Sequence, residues 1–247
     1  MVGLQIYTVR SLLTDFESCK ETLKKIKDIG YTHIQLSGGI DYADCVARAA
    51  LDVGISVIGY LTSREALTSN YDDVVRISRL CGAFDIGVSG FETTESGARE
   101  FARDMNKIAA KLKDDGFSFS YHNHSLEFIR TECQKTVMDI FLEEFDPTLV
   151  CLMPDTYWLQ HGGVDVRDFI EKHGDRVKIL HLKDMKRTKD GVTFAEVGVG
   201  NLNMEGIISL AKSKGIKHFT VEQDDCDKDP LSSAKISFKN IMKILGE

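Results

Sequence analysis

Eight short runs rich in β-branched and aromatic residues recur along the chain, each followed by a longer amphipathic stretch, and this alternation restricts the fold more than any other feature. The strand candidates are residues 4–9, 33–37, 56–61, 85–89, 118–124, 149–155, 177–184 and 218–223. The helical candidates that follow them are residues 16–29, 42–53, 71–80, 95–115, 131–144, 164–173, 204–214 and 231–245. Gly30, Gly54, Gly82, Gly116 and Gly215 each stand just past a helical pattern and just before a strand, where a left-handed residue ends a helix at least cost. The repeating unit is therefore βα, and eight units in 247 residues predict one α/β domain over residues 1–247, a closed (β/α)8 TIM barrel. No G-x-G-x-x-G or Walker A sequence follows any strand, which argues against a doubly wound nucleotide-binding sheet. The stretch 186–203, with Gly191, Gly198 and Gly200, reads as an irregular loop over the barrel mouth.

A net charge of −7 leaves no basic stripe to neutralise phosphates, so no nucleic-acid partner is expected. The opening MVGLQIYTVRSLL lacks a basic segment followed by a long apolar run, and no stretch of about 18 uncharged apolar residues occurs, so the expectation is a cytoplasmic chain without a membrane partner. Six scattered cysteines with no C-x-x-C pair read as small buried hydrophobes, not as disulfides. The outer helices leave homo-oligomerisation open.

In a TIM barrel the chemistry lies at the C-terminal ends of the strands, and here polar side chains collect there. Strand five ends Tyr121-His122-Asn123-His124 and runs on to Glu127; strand six ends Met153-Pro154-Asp155-Thr156-Tyr157-Trp158. Strand seven ends His181-Leu182-Lys183-Asp184, and strand eight ends Val221-Glu222-Gln223-Asp224. Carboxylates converging on a partly dry cleft repel one another unless a cation or protons compensate them. Carboxylate oxygens mixed with imidazoles suit Mn²⁺, Mg²⁺, Co²⁺ or Zn²⁺ better than a thiolate-loving ion, so one divalent metal ion per chain is expected, manganese first. His122 and His124, two apart on a strand, point to the same side and are expected to face the substrate. His33 and His218 lie near strand starts, at the stability face, and read as structural. Glu196 and its glycine neighbours read as loop architecture.

The chain also resembles the sugar phosphate isomerase/epimerase group of xylose isomerase-like TIM barrels, related to the second apurinic-endonuclease family. The likeness spans nearly the whole sequence. It rests on Leu4-Gln5-Ile6-Tyr7-Thr8-Val9-Arg10, the Tyr-His-Asn-His run with Glu127-Phe128, Asp155-Thr156-Tyr157-Trp158, His181-Leu182-Lys183-Asp184, Glu196-Val197-Gly198-Val199-Gly200 and Val221-Glu222-Gln223-Asp224. The resemblance implies a metal held by a glutamate of strand five, an aspartate of strand six, a histidine of strand seven and a glutamate of strand eight. Asp155, His181 and Glu222 match the last three. For the first, either His122 is itself a ligand or Glu127 swings back to supply a carboxylate, and Glu127 is the expected ligand.

The resemblance further implies two ligand glutamates that shuttle a proton beside a substrate carbonyl. With Glu222 as one base and His122 or His124 as the other, the expected activity is isomerisation or epimerisation of a sugar, sugar acid or cyclitol through an enediolate. Lys183 would hold a substrate oxygen, Trp158 would form an apolar wall, and Gln5 and Gln223 would read hydroxyls. The alternatives are a metal-dependent lyase or dehydratase at the same site, including 3-keto-glycoside cleavage, and a sugar-binding barrel without catalysis. A DNA-repair endonuclease would need further metal-binding histidines and a positive face, and neither is visible. No arginine cluster marks a phosphate pocket, so the small carbohydrate substrate is expected to be unphosphorylated.

Overall fold

The computed structural model describes residues 2–90 and 92–246. Its central strands are β1 (Val2–Gln5), β2 (His33–Ser37), β3 (Ser56–Thr62), β4 (Asp85–Ser89), β5 (Ser118–His122), β6 (Val150–Met153), β7 (Ile179–Leu182) and, after the hairpin β8 (Asp184–Thr188) and β9 (Gly191–Ala195), β10 (His218–Val221). The eight central strands are hydrogen-bonded in the order β6-β5-β4-β3-β2-β1-β10-β7, all parallel. Bridges Leu152↔Val177 and Asp155↔His181 close the ring between β6 and β7, so the barrel expected from the βα rhythm is present. Helices cover the outside of the ring and side chains fill its inside, which is why strands such as β1 and β2 are buried at every residue.

The helices are α1 (Phe16–Ile29), α2 (Ile40–Val53), α3 (Arg64–Ser69), α4 (Tyr71–Cys81), α5 (Glu95–Asp114), α6 (Val137–Glu144), α7 (Thr156–His161), α8 (Val166–His173), α9 (Met204–Ser213) and α10 (Pro230–Leu245). α1 shows how local sequence sets them. Asp15 and Ser18 form a reciprocal capping box, and Cys19, Thr22, Leu23 and Ile26 make one buried stripe. The helix stops at Gly30, whose φ of +120° suits glycine and where a Cβ would meet the Phe238 ring at 2.6 Å. Among the described residues no helix is long and apolar enough to cross a membrane.

Several boundaries differ from the sequence reading. The first strand ends at Gln5, and Ile6–Leu12 winds into a 3-10 helix. The sixth helix begins at Val137 rather than at 131, because Thr136 and Asp139 form its capping box and Arg130 bridges to Thr136. α3 and α7 are extra short helices at the rim. The stretch expected to be irregular over the mouth carries the antiparallel pair β8–β9.

Asp184 anchors that hairpin. Its Oδ1 accepts the backbone N–H groups of Met185 at 2.8 Å and Leu202 at 3.1 Å, and its Oδ2 those of Gly198 at 2.9 Å and Gly200 at 3.1 Å. A Cβ on Gly200 would run into the Asp184 carboxylate, so glycine is required by this close approach. Glu196 accepts from Ser233 Oγ on α10 at 3.0 Å. The motif 196–200 is thus loop architecture, and it lets Phe194 of β9 pack over Tyr157, ring centroids 4.4 Å apart.

At the opposite end, the barrel floor is polar and buried. His33 is held near a pKa of about 4 by burial first and by neighbouring His218. Asp85 accepts hydroxyl hydrogen bonds from Ser118 and Ser120 at 2.5 and 2.8 Å, and burial pushes its carboxyl up to about 7. His33 and His218 lie at the strand starts, where a structural role was expected.

Candidate metal centre and active-site mouth

Inward-facing positions alternate along each strand, so the last inward residue of β5, β7 and β10, or the residue just past them, is delivered to one rim. His122, Asp155, His181 and Glu222 arrive there buried, with one potential ligand atom from each lying within 4.8 Å of all the others. Asp155 follows β6 and is the N-cap of α7, its Oδ1 accepting from Trp158 N at 3.0 Å. Its own backbone N–H donates to Asn123 Oδ1 at 3.1 Å, which ties strand six to strand five at this level.

Lys183 enters the same group. Its side chain is 1% exposed, and Nζ lies 3.1 Å from Asp155 Oδ2, 3.2 Å from Glu222 Oε2 and 2.8 Å from Asp224 Oδ1. Its backbone is clipped to α7: Lys183 N donates to Thr156 Oγ1 at 2.9 Å, and that hydroxyl donates to the Lys183 carbonyl at 2.8 Å. Burial disfavours the ammonium, but Asp155, Glu222 and Asp224 outweigh it and raise the lysine pKa. Burial likewise disfavours the Glu222 carboxylate, but Lys183 and His181 outweigh it and hold its pKa well below the usual range. Asp155 is less well compensated, and burial pushes it up to about 6.

Three carboxylates therefore share one ammonium, leaving a deficit equal to the charge of one divalent cation. A second observation points the same way. His181 Nε2 lies 2.6 Å from Gln35 Oε1, which also accepts from Gln5 Nε2 at 3.0 Å, and Nδ1 lies 2.8 Å from Glu222 Oε2. With an acceptor at each nitrogen, a neutral imidazole can donate to only one of them, and the other contact calls for a second proton or a shared cation. His122 Nδ1 is buried with no hydrogen-bond partner, and burial, then His181 and His124, hold that imidazole neutral, as a ligand must be. The donor set of two imidazoles and two carboxylates fits a divalent ion such as Mn²⁺, Mg²⁺, Co²⁺ or Zn²⁺.

Glu127, expected as the fourth ligand, does not join this group. Tyr121 faces outward into the aromatic cluster with Phe101, Phe141 and Phe145. Its hydroxyl donates to Glu127 Oε1 at 2.7 Å, and His124 N donates to the same oxygen at 3.0 Å, so the carboxylate is tethered on the helix side of strand five. His122, the inward neighbour of Tyr121, takes the place instead.

A cavity of about 440 Å³ opens above the cluster, lined by His122, His124, Lys183, Glu222 and Asp224 together with Ser37, Leu61, Thr62 and Ser89. Three expected substrate contacts are absent from this lining. Gln5 pairs in register with Gln35 one layer below the cluster and supports it. Gln223 turns its Nε2 to the Asp225 carbonyl at 3.1 Å. Trp158 backs His124, ring centroids 5.4 Å apart, instead of facing the cavity. In each case a neighbouring polar or aromatic group captures the side chain before it reaches the mouth.

Sequence reading missed Gln35 and placed Asp224 at the rim without giving it a role. Gln35 had a signal: His33, Gln35 and Ser37 alternate with Ile34 and Leu36 in a strand expected to be buried. Replacing Gln35 with methionine removes the polar contact at His181 Nε2, and divalent-metal affinity is expected to fall about 10–100-fold, as measured by titration against a metal indicator.

A family model for the xylose isomerase-like TIM barrel matches residues 17–241. Inosose dehydratase from Clostridium perfringens is 27% identical over 154 residues, covering 55% of this chain and 51% of that protein. Inosose dehydratase from Clostridium tetani is 32% identical over 154 residues, covering 62% of this chain and 44% of that protein. The chain thus spans about half the length of the curated relatives it matches. Among solved structures, a sugar phosphate isomerase/epimerase from Parabacteroides distasonis superposes with a TM-score of 0.82 at 24% identity, covering 98% of this chain and 97% of that one. A xylose isomerase-like TIM barrel protein from Mycobacterium smegmatis, solved in complex with magnesium, superposes with a TM-score of 0.71 at 14% identity, covering 94% and 89%.

Proposed function

This chain belongs to the xylose isomerase-like TIM-barrel family, and from that premise we propose that it is a divalent-metal-dependent isomerase or epimerase of a sugar, sugar acid or cyclitol. The observation that carries the reading is the convergence of His122, Asp155, His181 and Glu222 within 4.8 Å beside Lys183, with His122, Lys183 and Glu222 lining the cavity. A divalent cation held by these four residues would polarise a substrate carbonyl and stabilise the negative charge developing on its oxygen.

The chain's own groups supply the proton transfers. Glu222 takes the proton from the carbon next to the carbonyl; the electron pair of that C–H bond forms a C=C bond as the carbonyl π pair moves to oxygen, giving an enediolate. Lys183 lines the cavity, and its ammonium would stabilise the developing oxyanion by exchanging its contact with Asp224 for the substrate oxygen. His124 also lines the cavity, and burial, then Lys183, holds it at a pKa of about 4, so it enters as a neutral imidazole able to accept a proton. With His122 in the donor set, His124 is the partner base to Glu222, taking a proton in one direction of the reaction and returning it in the other. The hairpin β8–β9 packs behind Trp158 and keeps that flank of the site dry.

A second reading is loss of a β-hydroxyl from the same enediolate, a dehydration. It is favoured by the inosose dehydratases among the relatives. One experiment tests both. Keto-sugars and keto-cyclitols are incubated with the Mn²⁺-, Mg²⁺-, Co²⁺- or Zn²⁺-supplemented protein in D₂O. Deuterium at the carbon next to the carbonyl without loss of water is the expected result; loss of one water would establish the dehydratase. No exchange in any substrate with any metal would sink both.

A further inference from the structure

The run Tyr121-His122-Asn123-His124 and the Glu127 that follows it hold three polar side chains outside the converging donors, and all three act on the backbone of His124 or on one another. β5 ends at His122, so His124 lies beyond the ladder of hydrogen bonds that fixes strand residues. Side chains take over there. Glu127 Oε1 accepts the His124 N–H at 3.0 Å, and Asn123 Nδ2 donates to the His124 carbonyl at 3.1 Å. Both polar atoms of the His124 backbone are thus held.

The holders are themselves anchored to the neighbouring strands. Tyr121 donates its hydroxyl proton to Glu127 Oε1 at 2.7 Å and accepts the N–H of Gly90, just past β4, at 3.2 Å. Asn123 Oδ1 accepts the N–H of Asp155, just past β6, at 3.1 Å. The bracket therefore runs across the ends of three adjacent strands with His124 at its centre, and the His124 ring leans on Trp158 while lining the cavity. Gly90 fits this arrangement, since a Cβ there would press the Tyr121 hydroxyl at 3.2 Å and the Phe101 ring at 3.3 Å.

Glu127 is an expensive way to anchor a loop. It is 1% exposed, its Oε2 is buried with no hydrogen-bond partner, and burial raises its pKa. Everything it holds is bonded to the one oxygen, Oε1. We propose that Glu127, with Tyr121 behind it, is the positioning residue of His124, keeping that imidazole in the cavity lining, and takes no part in holding the metal. The role of His124 in proton transfer rests on the proposed function; the bracket rests on the hydrogen bonds alone.

Three variants test it. Glu127→Ala removes the acceptor, Tyr121→Phe is a milder change that removes one donor to it, and Glu127→Gln keeps an oxygen for both donors. The Mg²⁺-supplemented proteins are labelled with ¹³C-histidine, and the His124 cross-peak, assigned with His124→Gln, is followed by NMR beside elemental analysis for metal. In Glu127→Ala and Tyr121→Phe the His124 cross-peak is expected to shift or broaden while those of His33 and His218 at the barrel floor stay in place. Glu127→Gln is expected to resemble the parent, and all three variants to keep their metal. For deuterium exchange into a keto-sugar or keto-cyclitol, kcat in Glu127→Ala is expected to fall about 100-fold with KM changed by less than about threefold, and Glu127→Gln to restore most of the rate.

An unmoved His124 cross-peak in both Glu127→Ala and Tyr121→Phe would overturn the proposal, as would loss of metal from Glu127→Gln or equal disturbance by Gln and Ala. Failure of the proposed function reads differently. Absence of exchange in the parent removes the enediolate chemistry and leaves the bracket to be decided by the cross-peak; exchange at the parental rate in all three variants keeps the chemistry and removes the positioning role.

Discussion

In His181→Ala, stoichiometric divalent-metal binding is expected to disappear and turnover to fall on the order of 10³–10⁴-fold, the equivalent of about 4–5.5 kcal/mol of lost transition-state stabilisation. His181 is fully buried, and its two nitrogens are committed in opposite directions, Nδ1 toward Glu222 and Nε2 toward Gln35. No described side chain stands behind it to replace the lost donor. Asp155 requires a subtler substitution because it plays two parts. Asp155→Ala would remove a cation ligand and the N-cap of α7 together, the latter worth about 1 kcal/mol. Asp155→Asn keeps an oxygen for the Trp158 N–H while removing the charge, so metal is expected to be lost with the melting temperature nearly retained. The checks are elemental analysis of protein purified without chelator, and thermal melting of each variant. Full metal content in His181→Ala and Asp155→Asn would refute the assigned donor set.

Lys183→Met is expected to destabilise the chelator-treated protein by about 3–5 kcal/mol, the cost of removing one partner from a buried charge cluster. In a chain of this size that corresponds to a melting-temperature drop of roughly 10 °C. The loss has a defined pH dependence. Asp155 titrates at about 6 in the folded protein, against 3.8 for the ordinary carboxyl. Between these values the folded state binds more protons than the unfolded one, so this group's contribution declines as pH rises from about 4 to about 6. Without the lysine the decline is expected to be steeper, because Asp155, Glu222 and Asp224 lose their shared counter-charge. Added Mn²⁺ should restore more stability to the variant than to the parent. Equal melting of the two proteins, or an equal response to Mn²⁺, would show that Lys183 does not compensate the carboxylates.

The candidate donors differ in how readily sequence exposes them. Asp155, His181 and Glu222 sit at or just past the ends of strands whose apolar pattern is unambiguous, and the period-2 alternation of a strand already says which side chains turn inward. Lys183 shares that advantage. Glu127 does not, since it stands five positions beyond His122, inside the 3-10 helix 126–128. Its direction is set by Tyr121, whose outward position in the aromatic cluster is a property of packing between sheet and helices. Gln35 supports the site from a strand on the far side of the barrel, 146 residues from His181 along the chain. Trp158, Gln5 and Gln223 lie next to the mouth in sequence yet spend their polar atoms or ring faces on immediate neighbours.

Local pattern by itself therefore determined the eight βα units, the parallel closed barrel and the rim on which charged groups gather. Hydrophobic period and glycine stops act within one element, and barrel closure follows from repetition. Tertiary structure alone decided that His122 replaces Glu127 among the converging donors and that Gln35 approaches His181 from a distant strand. Each of those outcomes depends on which distant group reaches a hydrogen-bonding atom first, and that competition is settled by the packing of strands and helices far apart in the chain.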